Sequence, residues 1–361
     1  MMKNFITICI AVLLLNTLVG CFLPRSTGLV EEITYQKPTK PESFITHTVD
    51  LKFIEQYLQK PKVKKATQYT WPTEHESHRT IKPGDTFSIS IWETTTSSLY
   101  LVSGQKNISI PEIMVDYDGY IQIPYTDKIK VSGLTSIAAH NSVKKTIKSV
   151  SPTAQVQVDI QSGSENSYSL VGDIARPGFF SLPVHNIMLK EAIALAGDVT
   201  KETRNPHIIL ERDNKIYKIS FKEFLKDPLY NISIFPKDFI RIESDKREFQ
   251  VLGSTGKGQV ISFDTDQISV RKAIASAGGL DSGKSNPKGI LLLRNNNKKM
   301  LSAKNQAKPE IFIFDLTNAE SIFAADEFLI ESNDLVMMTE SPVPSLQIIL
   351  GLIAMAASVL K

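Results

Sequence analysis

Cysteine is almost absent from this chain. Its 361 residues hold two, Cys9 and Cys21, and the first lies in a leading segment built like a secretory signal, so a disulfide framework is excluded. A dominant charge is missing too. Lysine and arginine number 41 against 38 acidic residues, a formal net charge of +3 that excludes the broad basic footprint of a nucleic-acid binder. Long apolar runs are equally lacking. Ile6 to Leu15 and Leu346 to Lys361 are both shorter than the roughly 20 residues a helix needs to cross an average bilayer.

The groupings that carry catalysis are also scarce. Asp116 and Asp118, with Asp85 and Glu93 nearby in sequence, could be paired as the carboxylates of a glycosidase, but Asp118-Gly119 and Gly84-Asp85 read better as turns. His75 and His78 sit in a polar stretch with no further ligand at a recognised metal spacing. The segment Gly253-Ser254-Thr255-Gly256-Lys257-Gly258 lacks the spacing and the following Ser or Thr of a phosphate loop, and a hairpin turn fits it. Trp92, Tyr117, Tyr120 and Tyr125 could offer flat rings to sugar faces, although cross-strand packing accounts for them equally well. The expectation is a protein without enzymatic activity, metal or cofactor.

What is present is organised. Lys3 and the apolar stretch behind it predict a cleaved signal over residues 1–20. Leu18-Val19-Gly20-Cys21 resembles the bacterial lipobox, which implies lipid attachment at Cys21, of the palmitate kind. Phe22 stands where an aspartate commonly holds lipoproteins at the inner membrane, so sorting to the outer membrane is implied. Residues 21–78, rich in Thr, Pro and Lys, read as a lipid-anchored tether with a short helix at Val49 to Leu58.

An α+β unit is expected over residues 79–162. Thr86 to Ile91 alternates polar with apolar residues as a half-buried strand does, and Gln155 to Ile160 alternates again. Ile113 to Val115 and Tyr120 to Ile123 flank Asp118-Gly119 as a predicted hairpin. Leu134, Ile137, Ala138, Val143, Ile147 and Val150 recur at helical spacing over Leu134 to Val150.

Beyond this unit the chain repeats. Residues 170–210 lie over 251–291 at an offset of 81, so that Gly172 meets Gly253, Ala192-Ile193-Ala194 meets Ala273-Ile274-Ala275, and Asn205-Pro206 meets Asn286-Pro287. Two small α+β domains are read, at 166–245 and 246–341, each with a helix closed by a left-handed glycine, Gly197 or Gly278. A similar acidic turn recurs in every unit, at Gly84-Asp85, Lys237-Asp238 and Asn333-Asp334.

After Pro342 and Pro344, residues 345–361 read as an amphipathic membrane helix. Gln347, Gly351, Ala354, Ser358 and Lys361 form one stripe of small or polar residues suited to a lumen or a helix interface. Leu346, Ile349, Ile353 and Leu360 would face lipid or neighbouring helices.

The stretch Lys82-Pro83-Gly84-Asp85-Thr86-Phe87-Ser88-Ile89-Ser90-Ile91-Trp92-Glu93, with Val115 to Pro124 and Val131 to Thr135, resembles the export-domain signature of the outer-membrane polysaccharide export family of the Wza type. Val171-Gly172-Asp173-Ile174-Ala175-Arg176-Pro177-Gly178 with Ala192 to Gly197 is similar to that family's soluble-ligand-binding β-grasp (SLBB) domain. Gly84, Asp85, Asp118, Gly119, Pro177 and Gly178 fall at the turns of these motifs. Asp127 stands where the family usually has a glycine, and Gly256-Lys257-Gly258 replaces Arg176-Pro177-Gly178 in the second copy.

The resemblance, strongest toward capsule-export lipoproteins, implies one export domain, two SLBB-like domains and a C-terminal membrane-spanning helix. It implies a channel-forming outer-membrane lipoprotein with its domains in the periplasm, exporting capsular or extracellular polysaccharide. Implied partners are the polymer, about seven further copies of the chain in an octamer, membrane lipid, and an inner-membrane co-polymerase with an ABC transporter or polymerase system. The alternative is a periplasmic lipoprotein without a pore, binding a carbohydrate or a partner through its β-grasp domains.

Overall fold

The computed structural model describes residues 27–35, 43–59, 71–72, 79–93, 100–101, 105–183, 187–255, 258–295 and 308–341. They form two compact units, one within Lys64–Asp245 and one from the segments on either side of it.

In the first unit, alternation along Thr86–Trp92 puts Phe87, Ile89 and Ile91 on one face, all fully buried. Each is worth about 1.5–3 kcal/mol of hydrophobic stabilisation. This strand is the middle of three, antiparallel to Asn107–Met114 on one side and to Gln155–Gln161 on the other. The register slips between Phe87 and Ile89, where the partner strand carries Pro111 and Glu112 at φ 57°, because proline has no N–H to give to a ladder. Helix Ser136–Val150 joins the same core through Ala139, Val143 and Ile147, one turn apart, and begins where the Thr135 hydroxyl accepts from the Ala138 N–H at 3.3 Å. Ile137, placed on the apolar face by spacing alone, points outward and is 76% exposed.

The predicted hairpin at Asp118-Gly119 is corrected. Asn107–Met114 pairs with Thr86–Trp92, and Tyr120–Ile121 pairs with Ile129–Lys130, so the turn links two sheets instead of two partners in one. The turn itself is well determined: Asp116 accepts from the backbone N–H of Tyr120 at 2.7 Å, and Gly119 sits at φ 86°.

The same unit continues into a five-stranded sheet, in the order Lys215–Ser220, His207–Arg212, Phe239–Glu243, Ser167–Gly172, Gly178–Ser181. Phe239–Glu243 runs parallel to Ser167–Gly172, and every other pair is antiparallel. Helix Leu189–Leu195 buries Leu189, Ala192 and Ile193 against Leu170, Leu210, Ile240 and Ile242.

The second unit repeats that order as Glu310–Phe314, Ser285–Arg294, Leu335–Glu340, Glu248–Gly253, Gln259–Ser262, with the same parallel pair at Glu248–Gly253 and Leu335–Glu340. Gly172 lies opposite Ile242 and Gly253 opposite Met338. Their φ angles are 93° and 107°, and a Cβ on either would overlap the carbonyl oxygen of its opposite residue. Only glycine fits. Gly197 and Gly278 close the two helices at φ 85° and 94°.

The offset of 81 does not hold throughout. Ile208 lies opposite Ile242 and Ile290 opposite Met338, so the offset has become 82. The extra residue falls in the irregular pairing between Ser285 and Ile290, where the Thr339 hydroxyl donates to the Gly289 carbonyl at 2.8 Å.

The tether reading of residues 21–78 is corrected over part of its length. Ile45–Thr48 adds a sixth strand, parallel to Glu310–Phe314, and helix Leu51–Gln59 follows it. Val49 and Ile54 are buried in the second unit's core, and Trp71 in that of the first. The helix expected at Val49 to Leu58 is present as Leu51–Gln59, whereas strand Ile45–Thr48 gave no sequence signal because none of its four side chains is buried. No helix among the described residues is long and apolar enough to cross a membrane. Residues 345–361 and 1–21 lie outside the described residues.

Candidate functional site

The three acidic turns share one construction. Asp85, Asp238 and Asp334 are each almost fully buried, and each accepts the backbone N–H three residues earlier, from Lys82 at 3.0 Å, Phe235 at 2.8 Å and Glu331 at 2.8 Å. The residue before each aspartate takes a left-handed conformation: Gly84 at φ 87°, Lys237 at 69° and Asn333 at 68°.

Each aspartate also meets a buried arginine. Arg212 donates to Asp238 at two points, Nε to Oδ1 at 2.8 Å and Nη2 to Oδ2 at 2.6 Å, and Nη2 donates further to the Ser233 carbonyl at 2.8 Å. Arg294 meets Asp334 in the same way, with Nη2 to Oδ2 at 2.6 Å and to the Leu329 carbonyl at 3.0 Å. Burial works against the charged form of Arg294, but the hydrogen bonds and charge of Asp334, then Glu331, outweigh it and hold its pKa above the usual range. Arg79 reaches Asp85 more loosely, at 3.3 Å. Sequence reasoning found the aspartates and missed these arginines. Their signal is a basic residue closing an apolar run, Ile208 to Arg212 and Ile290 to Arg294.

Asp85 does more than hold its own turn. Its Oδ1 accepts from the Gly163 N–H at 2.7 Å, and its Oδ2 from the Asn166 side-chain amide at 2.7 Å, which also reaches the Thr80 carbonyl at 3.0 Å. A Cβ on Gly163 would overlap the Gly84 carbonyl, so the chain passes there at backbone contact. The three-stranded and five-stranded parts are thus locked together around one carboxylate. Beside this lock lies a cavity of about 370 Å³ whose lining includes Lys82, Glu165, Arg212, Asp213, Phe235 and Asp238. The Lys237 ammonium pairs with Glu165 at 2.7 Å and holds that exposed carboxyl below its usual range.

Each carboxylate considered for glycosidase chemistry has a structural setting of its own. Asp85 and Asp116 organise turns, Asp118 sits at a turn corner, and Glu93 accepts the Ser151 hydroxyl. Among the described residues no three His, Cys, Asp or Glu side chains gather as a metal site. Tyr117 is 96% exposed, Tyr125 is 68% exposed and edge-on to Tyr100, and Tyr120 lies under the Lys130 ammonium at 4.5 Å. Pro177 and Gly178 lead into strand Gly178–Ser181. Cys21, His75, His78, Gln347, Gly351, Ala354, Ser358, Lys361, Leu346, Ile349, Ile353 and Leu360 lie outside the described residues.

Residues 73–161 match the family model described as polysaccharide biosynthesis/export protein. The chain is 24% identical over 369 residues to the capsule polysaccharide export outer membrane protein CtrA of Neisseria meningitidis, covering 93% of this chain and 92% of that one. It is 25% identical over 295 residues to the capsule polysaccharide export protein BexD of Haemophilus influenzae, covering 76% and 74%. It is 23% identical over 348 residues to the Vi polysaccharide export protein VexA/TviF of Salmonella typhi, covering 94% of each. The resemblance to the outer-membrane polysaccharide export family, first seen at Lys82 to Glu93, is shown by both comparisons.

Proposed function

We propose that the chain is a channel-forming lipoprotein of the outer membrane that carries capsular or extracellular polysaccharide from the periplasm to the cell surface. A single observation carries the reading. Similarity to CtrA and to VexA/TviF runs over more than nine-tenths of both chains, and those proteins are named for exporting polysaccharide. The export-domain match falls on the folded residues that Asp85 locks to the following sheet.

In this reading the lipid on Cys21 and the helix 345–361 anchor the chain in the outer membrane, while residues 79–341 lie in the periplasm as an export domain and two SLBB-like β-grasp domains. Helices from about eight copies stand side by side, each satisfying its own backbone hydrogen bonds as hydrocarbon requires. Sixteen residues from Leu346 rise roughly 24 Å at 1.5 Å each, close to the apolar band of outer-membrane proteins. The polymer is delivered by an inner-membrane co-polymerase with an ABC transporter or polymerase system. Electron microscopy of the detergent-extracted protein tests the channel: a closed ring with a lumen supports it, and isolated single copies contradict it.

A second reading, a carbohydrate-binding lipoprotein without a pore, is favoured by the cavity lined by Arg212 and Asp238. The same images decide between the two.

A further inference from the structure

The two repeats treat the same arginine atom differently. In the second, Arg294 Nη1 is held by the Glu331 carboxylate at 3.3 Å and by the Tyr57 hydroxyl at 3.2 Å. In the first, Arg212 Nη1 is buried and has no hydrogen-bond partner among the described residues. The position three before the aspartate, Glu331 in one copy, is Phe235 in the other, and its ring lies 4.0 Å beneath the Arg212 guanidinium. A buried guanidinium N–H left without an acceptor costs on the order of 1–3 kcal/mol, so the first copy is built with an acceptor position open.

The Arg212 side chain is among those lining the 370 Å³ cavity, whose size suits a small molecule. The charges around it select among anions. Arg212 is committed to Asp238 and Lys237 to Glu165, which leaves Lys82 as the second cation and Asp213 as an acidic neighbour. A doubly charged group such as phosphate would meet Glu165 and Asp213 as like charges. A single carboxylate on a hydroxyl-bearing ring carries about half that charge, and while its carboxylate accepts from Arg212 and Lys82 its hydroxyls donate to Glu165 and Asp213.

We infer that this cavity binds an acidic sugar residue, with its carboxylate at the place that Glu331 fills in the second repeat. The choice of a sugar over another hydroxy acid rests on the export reading; the carboxylate site rests on the cavity alone.

Calorimetric titration of the full-length protein in detergent with glucuronic acid, glucose and acetate tests the inference. Glucuronic acid should bind at least ten times more tightly than glucose or acetate. Phe235→Glu, which supplies the missing carboxylate from within, should abolish that binding without lowering the melting temperature. If that variant fails to fold, Lys82→Ala decides, and should weaken glucuronic acid severalfold while leaving the buried pair untouched. Equal affinity for glucose, acetate as tight as glucuronic acid, no binding at all, or full binding by a folded Phe235→Glu or Lys82→Ala protein would each overturn it. Because binding is read on purified protein, its failure leaves export in cells to be judged separately.

Discussion

Arg212, the last residue of strand His207–Arg212, and Asp238, in the turn just before strand Phe239–Glu243, join through two hydrogen bonds of 2.8 and 2.6 Å, both side chains almost wholly buried. The cost of desolvating both charges is offset only while both are present. Asp238→Ala should therefore destabilise by about 3–5 kcal/mol, because it strands a buried guanidinium. The double variant Arg212→Met with Asp238→Leu should recover most of that loss. Native-state hydrogen exchange of strand His207–Arg212 reads both values, and a double variant no better than the single one would contradict the argument.

Tyr168 gives a prediction of opposite sign. Its hydroxyl is buried with no partner among the described residues, and the position 81 residues on is Phe249, equally buried. Tyr168→Phe should raise stability by about 1 kcal/mol at neutral pH. Burial pushes the phenol up to about 12 from 10.0, so the folded state holds its proton over a range where the unfolded chain has lost it. Stability from this group is fully present below pH 10 and lost as pH rises towards 12. Denaturant midpoints measured from pH 8 to 12 should fall less steeply for the variant; identical slopes would remove Tyr168 as the cause.

Glycines with the same sign of φ should differ in tolerance. Gly84 has open space where a Cβ would go, so Gly84→Ala should cost only the left-handed strain, about 1 kcal/mol. Gly172→Ala adds overlap with the Ile242 carbonyl and should cost about 3 kcal/mol or more. Thermal melts of the two variants compare them directly, and equal losses would show that the parallel pair yields to accommodate a methyl group.

The strands and helices that alternate strongly are legible in the sequence. Phe87, Ile89 and Ile91 fell on one face because a period of two admits no other reading, and the repeat announced itself through Gly172 and Gly253, where two strands leave no room for a side chain. Pairing was harder to read. Nothing in Ile113 to Ile123 says that its two strands join different sheets, because partners are chosen by packing far along the chain. The single residue added before Ile290 was invisible for the same reason. The cavity escaped because it depends on an absence, Phe235 where the other copy has Glu331, that acquires meaning only once the Arg212 guanidinium is known to lie over the Phe235 ring.

Anchoring by lipid is tested at Cys21. Cys21→Ser should abolish incorporation of labelled fatty acid, while the proposed terminal helix should leave export only partly reduced, since two anchors share the attachment. Labelling that persists in the variant would rule out this cysteine as the attachment point.

The central claim is that this chain carries polysaccharide across the outer membrane, and the most direct measurement is the amount of polymer on the surface of intact cells. Antibody staining should show surface polymer lost in cells without the chain, with polymer retained inside, and restored by the full-length chain. A version ending at residue 345 should be made in normal amounts and fail to restore it. Normal surface polymer in cells that lack the chain, or full restoration by the shortened one, would contradict the account.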